Sequence, residues 1–202
     1  FSGGTGLKKV LLPEGLAEVE SGLFADCSAL EELAVPASVQ RFYVSALGGM
    51  TGLKRLVIED APDTMALLST SYTDLSAIPM EYAYMGRNLT AYSPYGASCL
   101  PVNVPLWQNS PSLKEAVVGP QVTEIPDMLF SGCTALEKIT SLAQNPPLCL
   151  RYDGVGEYYN FYGVDAAKCV LHVPSGTQQA YAAAGGWSYF FRMEEDPAVG
   201  IG

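Results

Sequence analysis

The sequence predicts an α/β-type solenoid, in which each short segment forms one coil and short parallel strands stack from coil to coil. Three observations predict it: leucines that recur every 23 positions, an alternating aliphatic pattern after each leucine, and a turn of small residues before it. The clearest copies are FADCSALEEL, which begins at Phe24, and FSGCTALEKI, which begins at Phe130. The sequence pattern of a catalytic or binding site rarely occurs twice in one chain, whereas the pattern of a structural unit is often repeated.

Each copy of the repeat predicts a strand with one buried face. An aliphatic residue follows the leucine after three positions, another usually follows two positions later, and an aromatic residue or leucine stands six positions before. The form L-x-x-L-x-L with a period in the twenties is typical of leucine-rich repeats, whose coils bury a core only by stacking. We expect two buried rows, formed by Leu7, Leu30, Leu53, Leu113 and Leu136, and by Val10, Leu33, Leu56 and Ile139.

The whole chain, 1–202, is expected to form a single domain with two insertions. The first insertion follows from the step of 36 between Leu53 and Leu89, which is 13 more than one repeat. Leu89 is accordingly taken as the centre of a weaker copy, with Tyr92 in its aliphatic position. Asn88-Leu89-Thr90 matches an N-glycosylation sequon, but a core Leu89 would make that site inaccessible. The expected segments are repeats at 1–60, an insertion at 61–84, repeats at 85–142, an insertion at 143–167, a C-terminal strand and cap at 168–193, and a tail at 194–202.

The C-terminal segment predicts a cap on the stack. Residues 171–174, LHVP, predict a last strand stopped by proline. Thr177 is expected to N-cap a short helix through QQAYAAA, and the acidic run 194–196 is expected to be a solvated tail. Covering the open end of the stack would fall to Trp187, Phe190 and Phe191.

Composition excludes several classes of function. The net charge is −10, from 21 acidic and 11 basic residues, which argues against nucleic acid because phosphate binding needs a basic face. No apolar run reaches the ~18 residues of a transmembrane helix. The five cysteines contain no C-x-x-C pair, so a zinc or redox site has no support. Cys27 and Cys133 occupy equivalent repeat positions and are expected to be buried, unpaired thiols.

Candidate catalytic residues are better explained by the repeat. His172, the one histidine, is expected to face solvent on the open face of the last strand, on the side opposite to Cys169. SGGTG at the N-terminus lacks the spacing of a phosphate-binding loop and aligns with the turn of the repeat. Paired carboxylates such as Glu31 and Glu32 fall in its charged positions. We therefore expect no enzyme activity, no catalytic residue, no cofactor and no metal site.

Tyrosines are concentrated in the two insertions, where they could bind a partner or pack the insertions onto the solenoid. Tyrosine offers a large, rigid ring with a polar tip and is favoured in binding surfaces. The open face predicted from the repeat mixes signs of charge, carries Arg55, and lacks an aromatic residue of its own. Binding hot spots favour tyrosine, tryptophan and arginine, so the expected partner-binding residues are Arg55, Tyr82, Tyr84, Tyr158 and Tyr159.

Three segments resemble one known family, the BspA-like leucine-rich repeat proteins. They are PASV at 36–39, IPDMLFSGCTALEKI at 125–139 and LHVPSGTQQAYAAAGGWSYF at 171–190, and the resemblance is strong at 1–58, 106–142 and 169–190. The family consists mainly of secreted or surface-attached proteins of anaerobic bacteria and some protozoa. The resemblance implies an extracellular or cell-surface binding or adhesion module for a protein or glycan, with a signal or lipid anchor upstream of Phe1. A structural spacer within a larger surface protein is the alternative, and a glycan hydrolase is a third hypothesis that lacks a paired-carboxylate site.

Overall fold

The structure, a computed structural model, describes residues 1–69, 75–92, 106–151 and 158–197, and of Ala91 and Tyr92 it describes the backbone alone. Short strands account for most of its regular structure. There is one α-helix in these ranges, α1 (Gln178–Ala183), with 3-10 turns at Val44–Leu47 and Trp187–Tyr189. The strands are β1 (Glu18–Val19), β2 (Glu32–Val35), β3 (Arg41–Tyr43), β4 (Arg55–Ile58), β5 (Met65–Leu68), β6 (Tyr82–Met85), β7 (Leu89–Tyr92), β8 (Glu115–Val118), β9 (Glu124–Ile125), β10 (Lys138–Ser141), β11 (Leu148–Cys149), β12 (Val170–Pro174) and β13 (Arg192–Asp196).

The strands form parallel sheets along the stack, so the predicted solenoid is confirmed. The main sheet has seven strands in the order β13-β12-β10-β8-β6-β4-β2, and a second sheet has four in the order β1-β3-β5-β7. A third, two-stranded sheet pairs β9 with β11. Every coil after the first therefore contributes one strand to the main sheet, and several coils add another strand to one of the two smaller sheets.

The two buried rows predicted from the repeat are confirmed for the residues predicted in the coils of β2, β4, β8 and β10. Leu30, Leu53, Leu113 and Leu136 are buried, and so are Leu33, Leu56 and Ile139. In the first coil, Leu7 and Val10 are half-buried and residues 7–12 form no strand. This coil has the main sheet on one side only, so its aliphatic residues are covered from one side.

The segment 61–84, expected to be an insertion, contains β5 of the second sheet and most of β6 of the main sheet. β5 pairs with β3 and β7, and Tyr82 of β6 pairs with Arg55 just as Arg55 pairs with Glu32. Met80, two positions before Tyr82, therefore takes the place of the repeat leucine and is buried. Centring the copy on Leu89 was wrong, because Leu89 is buried in a strand of the other sheet.

Aromatic rings stack along the core. Phe1 stacks on Phe24 with ring centroids 5.9 Å apart, and Phe130 lies between Trp107 at 5.6 Å and Phe161 at 5.9 Å. Phe161 comes from the segment 143–167, which was expected to be an insertion. That part of the segment therefore continues the coil.

The cap contains the expected helix and differs from prediction in three details. Trp187 and Phe190 are buried, but Phe191 is 81% exposed. The Thr177 hydroxyl donates to the Pro174 carbonyl at 2.7 Å and makes no helix-capping hydrogen bond. The run 194–196 is not a solvated tail, because it lies in β13, which pairs in parallel with β12 and ends the main sheet.

A buried arginine, which the repeat pattern does not predict, ties three segments together. Arg87 is fully buried and its guanidinium donates to four backbone carbonyls. Three of them belong to the PASV motif, and the fourth is that of Glu59. Burial lowers the pKa of Arg87 from its ordinary value, although Asp63 and Glu59 oppose that shift.

The side chain of Asn88 links the start of β7 to β9, two strands that do not pair with each other. Its Oδ1 accepts the backbone N–H groups of Thr123 at 2.8 Å and Glu124 at 3.2 Å, and its Nδ2 donates to the Thr123 hydroxyl at 2.7 Å. Among the described strands the second sheet ends at β7, and this amide continues the hydrogen bonding towards β9. The sequon nitrogen is therefore engaged in the fold.

Candidate binding site on the open sheet face

The main sheet has one buried face and one open face, because side chains alternate along each strand. Two rows of residues stand on the open face of the main sheet. In register, the first row is Glu32, Arg55, Tyr82, Glu115, Lys138, Val170 and Arg192, and the second is Ala34, Val57, Tyr84, Val117, Thr140, His172 and Glu194. The expectation that this face lacks aromatic residues was wrong. It depended on assigning Tyr82 and Tyr84 to an insertion, whereas β6 is a strand of the sheet.

Arg55 and Tyr82 are cross-strand neighbours and stack on one another. The Arg55 guanidinium carbon lies 3.7 Å from the centroid of the Tyr82 ring, which is a close cation–π contact. Arg55 also forms an ion pair with Glu32, with Nε 3.5 Å from Oε1. One face of Tyr82 and the charge of Arg55 are therefore already engaged within the sheet.

Tyr84 is fixed by a carboxylate from the loop after β4. Its hydroxyl donates to Asp60 and lies 2.9 Å from each carboxylate oxygen. Burial raises the pKa of Tyr84 well above its ordinary value, and the hydrogen bond to Asp60 and the negative charge of Asp60 raise it further. Tyr84 thus stays protonated and directs its single proton at Asp60.

These groups enclose a depression of about 510 Å³ lined by Arg55, Val57, Glu59, Asp60, Tyr82 and Tyr84. Gly119 leaves room for the Asp60 carboxylate, since a Cβ there would lie 2.6 Å from Asp60 Oδ1 and 2.8 Å from the Cα of Gly86. Two carboxylates and one guanidinium line the depression, and the guanidinium is paired with Glu32 outside it. The depression therefore carries net negative charge.

Beside this depression, acidic and basic residues alternate from coil to coil. Ion pairs join Lys54 to Glu31 at 3.1 Å, Lys114 to Glu81 at 3.2 Å, and Lys138 to Glu115 at 3.0 Å. Such exposed pairs each contribute little to stability, but they cancel charge along the sheet. This pairing explains the repeated charged doublets and leaves the depression as a distinct acidic feature.

The five residues expected to bind a partner form two separate groups. Tyr158, 38% exposed, lies against Gly185 of the cap, and the Arg151 guanidinium carbon lies 4.7 Å from its ring centroid. Tyr159, 39% exposed, makes an edge contact with Tyr162 at 6.0 Å. Neither lines the depression beside Tyr84. Outside the described residues lie Tyr72, Tyr95, Tyr152 and Cys99, as well as the side chain of Tyr92.

Sequence reasoning missed Val57, Glu59 and Asp60 as site residues. The sequence did contain a pattern that could have revealed Val57, because Arg55-x-Val57 and Tyr82-x-Tyr84 show the same alternation. The two pairs align when Met80 is taken as the repeat residue. The two carboxylates follow directly after β4, where the coil turns away from the sheet.

Most of the cysteines and the histidine lie in the described part of the chain. Its four cysteines, Cys27, Cys133, Cys149 and Cys169, are buried free thiols, which confirms the expectation for the first two. Burial raises the pKa of the last three to about 12, so they are poor nucleophiles. His172 stands half-buried on the open face, as expected. Within the described ranges no group of three or more potential ligands could hold a metal, and no helix has the length and apolar character to cross a membrane.

A family match and a similar solved structure support this architecture. The BspA-type leucine rich repeat region matches residues 1–90 and 102–145, in 6 copies. A comparison with curated proteins finds no match. Among solved structures, the chain is similar to the crystal structure of the pneumococcal vaccine antigen PcpA, with a TM-score of 0.53 and 11% sequence identity. The similarity covers 91% of this chain and 40% of that one, and at such identity it shows the fold alone.

Repeat spacing, parallel strand order and the extent of the family match all lead to one assignment. The matched copies span most of the chain, and they include the coils that carry Arg55, Tyr82 and Tyr84. The chain belongs to the BspA-type leucine-rich repeat family.

Proposed function

We propose that this chain is a non-enzymatic binding module of the cell surface or extracellular space, and that a protein partner docks around Tyr82 and Tyr84. The observation that carries the proposal is the pair of half-buried tyrosine rings on a strand flanked by β4 and β8. The family resemblance and the vaccine antigen with the similar fold support a surface or extracellular location.

The rigidity of the site favours binding. Ladder pairing on both sides holds the backbone of β6, Arg55 holds the Tyr82 ring, and Asp60 holds the Tyr84 hydroxyl. Side chains that are already ordered lose little entropy when a partner docks. Tyrosine and arginine are also the residues that most often dominate binding energy.

Arrays of purified extracellular proteins and of glycans test this proposal, with the wild-type chain compared with a Tyr82→Ala/Tyr84→Ala variant. The double substitution is expected to weaken a protein partner by roughly 30-fold or more, which corresponds to ~2 kcal/mol. The control variant, Tyr158→Ala/Tyr159→Ala, is expected to leave that affinity within about twofold. Melting temperatures of both variants are measured alongside.

Two results would contradict the proposal. Retention of the partner by a folded Tyr82→Ala/Tyr84→Ala variant would place binding elsewhere and favour the spacer role for this face. Unfolding of the same variant would show that the two rings act as packing.

Glycan recognition by the tyrosines near the cap is a second candidate. Tyr159 and Tyr162 form an edge-to-face pair, and Tyr162 is 64% exposed. Loss of a glycan-array signal on Tyr159→Ala, with no change on Tyr82→Ala/Tyr84→Ala, would select this candidate over the open face.

A further inference from the structure

We propose that the depression beside Tyr84 accepts a cationic side chain, lysine or arginine, from the protein partner. The proposal rests on the proposed function of the open face and adds the chemistry of the group that is recognised. It follows from the charge, the hydrogen-bonding capacity and the aromatic walls of one small set of residues.

Charge is the first argument. Glu59 and Asp60 are both exposed at the depression. The opposing charge of Arg55 is offset by its ion pair with Glu32 at 3.5 Å and is held against the Tyr82 ring. The net charge of −10 for the whole chain adds a long-range attraction for cations. An anionic group would meet repulsion from both carboxylates.

Hydrogen-bonding capacity is the second argument, because the acidic wall of the depression offers acceptors. Ionised carboxylates only accept hydrogen bonds, and the one proton of the Tyr84 hydroxyl is directed at Asp60. Within the described ranges Glu59 accepts the backbone N–H of Ala37 at 3.1 Å through Oε2, so Glu59 Oε1 and the remaining lone pairs of Asp60 can take further donors. Ammonium and guanidinium groups bring three and five donors and no acceptor.

Shape is the third argument. The walls combine two tyrosine rings with the aliphatic side chain of Val57. Lysine and arginine have an apolar stem and a charged head, and their cations are attracted to tyrosine faces. A depression of about 510 Å³ falls within the ordinary range of ligand pockets.

Titration of the isotope-labelled chain by two-dimensional NMR tests the inference with matched probes. N-acetyl-arginine amide carries the cation, and N-acetyl-citrulline amide has nearly the same shape without the charge. The arginine probe is expected to shift resonances at residues 55–60 and 82–86 and to bind at least tenfold more tightly than the citrulline probe. Equal binding of both probes, or shifts confined to other parts of the chain, would overturn the inference.

Charge-removing variants give the second arm of the experiment. Glu59→Gln/Asp60→Asn keeps size and most hydrogen-bonding capacity, and it is expected to weaken the arginine probe at least tenfold. The control, Glu20→Gln/Glu124→Gln, removes the same charge from exposed positions outside the main sheet and is expected to change binding less than twofold. If both variants weaken binding of the arginine probe equally, the loss reflects the net charge of the chain and not the depression, which would overturn the inference. The comparison of probes on the wild-type chain needs no variant to fold.

Failure of this inference is distinguishable from failure of the proposed function. Loss of the protein partner by Tyr82→Ala/Tyr84→Ala, together with unchanged affinity in Glu59→Gln/Asp60→Asn, would leave the face as the site and reject the cationic side chain. Unchanged affinity in both variants would reject the proposed function itself.

Discussion

At the scale of single residues, a few side chains hold the coils together in ways that the repeat pattern does not specify. Arg87 shows this most clearly, because it supplies donors to four carbonyls at the turns after β2 and β4. The hydrogen bonds to Pro36 and Val39 are buried, and a hydrogen bond that involves a charged group contributes about 1.5–3 kcal/mol. The PASV motif is therefore held by a residue far from it in sequence.

Arg87→Met is expected to lower the free energy of unfolding by about 3 kcal/mol or more, because it removes every donor while keeping an apolar stem. Urea unfolding followed by circular dichroism measures the loss. The control is Arg41→Met, a surface arginine paired with Glu18, for which the loss is expected to stay within about 1 kcal/mol. Equal losses in the two variants would contradict the role assigned to Arg87.

Tyr181 makes stability fall at alkaline pH. Burial raises its pKa from 10.0 to about 12, so the unfolded chain releases this proton between those values while the folded chain retains it. The stabilising contribution of Tyr181 is then complete below pH 10 and is lost above it, by up to about 1.4 kcal/mol per pH unit. Tyr181→Phe is expected to flatten the slope of unfolding free energy between pH 10 and 12.

The slope is the quantity to compare, because the substitution also removes hydrogen bonds to Ala143 and Ser141 and lowers stability at every pH. Urea unfolding at several pH values measures it. An unchanged slope would show that Tyr181 ionises equally in both states.

At the scale of elements, each coil carries up to two buried strands, and their assignment to a sheet determines which residues meet. Tyr82 comes beside Arg55 only because β6 joins the main sheet, and Leu89 lies in a different sheet because β7 joins β5. The placement of β7 also explains the role of Asn88, whose side-chain amide replaces the hydrogen bonds of a further strand beside β7.

Asn88→Ala is expected to lower the free energy of unfolding by about 1 kcal/mol, because it removes the hydrogen bonds to Thr123 and Glu124 and each exposed bond has a small net contribution. Chemical denaturation measures the change. Asn145→Ala, at an exposed position, is the control and is expected to stay within about 0.5 kcal/mol. A loss no larger than the control would show that water replaces the bridge.

At the scale of the whole molecule, one contiguous core runs from the first coils to the cap. It includes Leu30 and Leu53 near one end, Trp107 in the middle, and Tyr181 and Trp187 in the cap. Repeat proteins are stabilised mainly by contacts between neighbouring coils. A continuous core of this size favours a single cooperative transition.

Leu53→Ala is expected to cost about 2–5 kcal/mol, the usual loss for a large-to-small change in a core. Because the core is continuous, tryptophan fluorescence from Trp107 and Trp187 and far-UV circular dichroism are expected to shift to the same lower midpoint. Leu11→Ala, at a residue 81% exposed, is the control and is expected to change stability by at most about 0.5 kcal/mol. A fluorescence midpoint that stays at the wild-type value would show that the coils unfold independently.

The local pattern by itself determined the solenoid, the buried leucine rows, the buried cysteines and the short helix of the cap. These features follow from spacing along the chain, because alternation decides which side chains of a strand are buried. The cation–π pair could not be found this way, since Arg55 and Tyr82 meet through register between coils.

Only the tertiary structure decided which sheet each strand joins, and therefore what stands on the open face. Two buried strands of one coil show the same alternation, so spacing could not distinguish Met80 from Leu89 as the repeat residue. Packing of whole coils makes that choice, and it brings Arg55, Tyr82, Tyr84 and Asp60 together. The repeat period of the sequence thus predicts the fold, whereas the candidate site forms only when one coil stacks on the next.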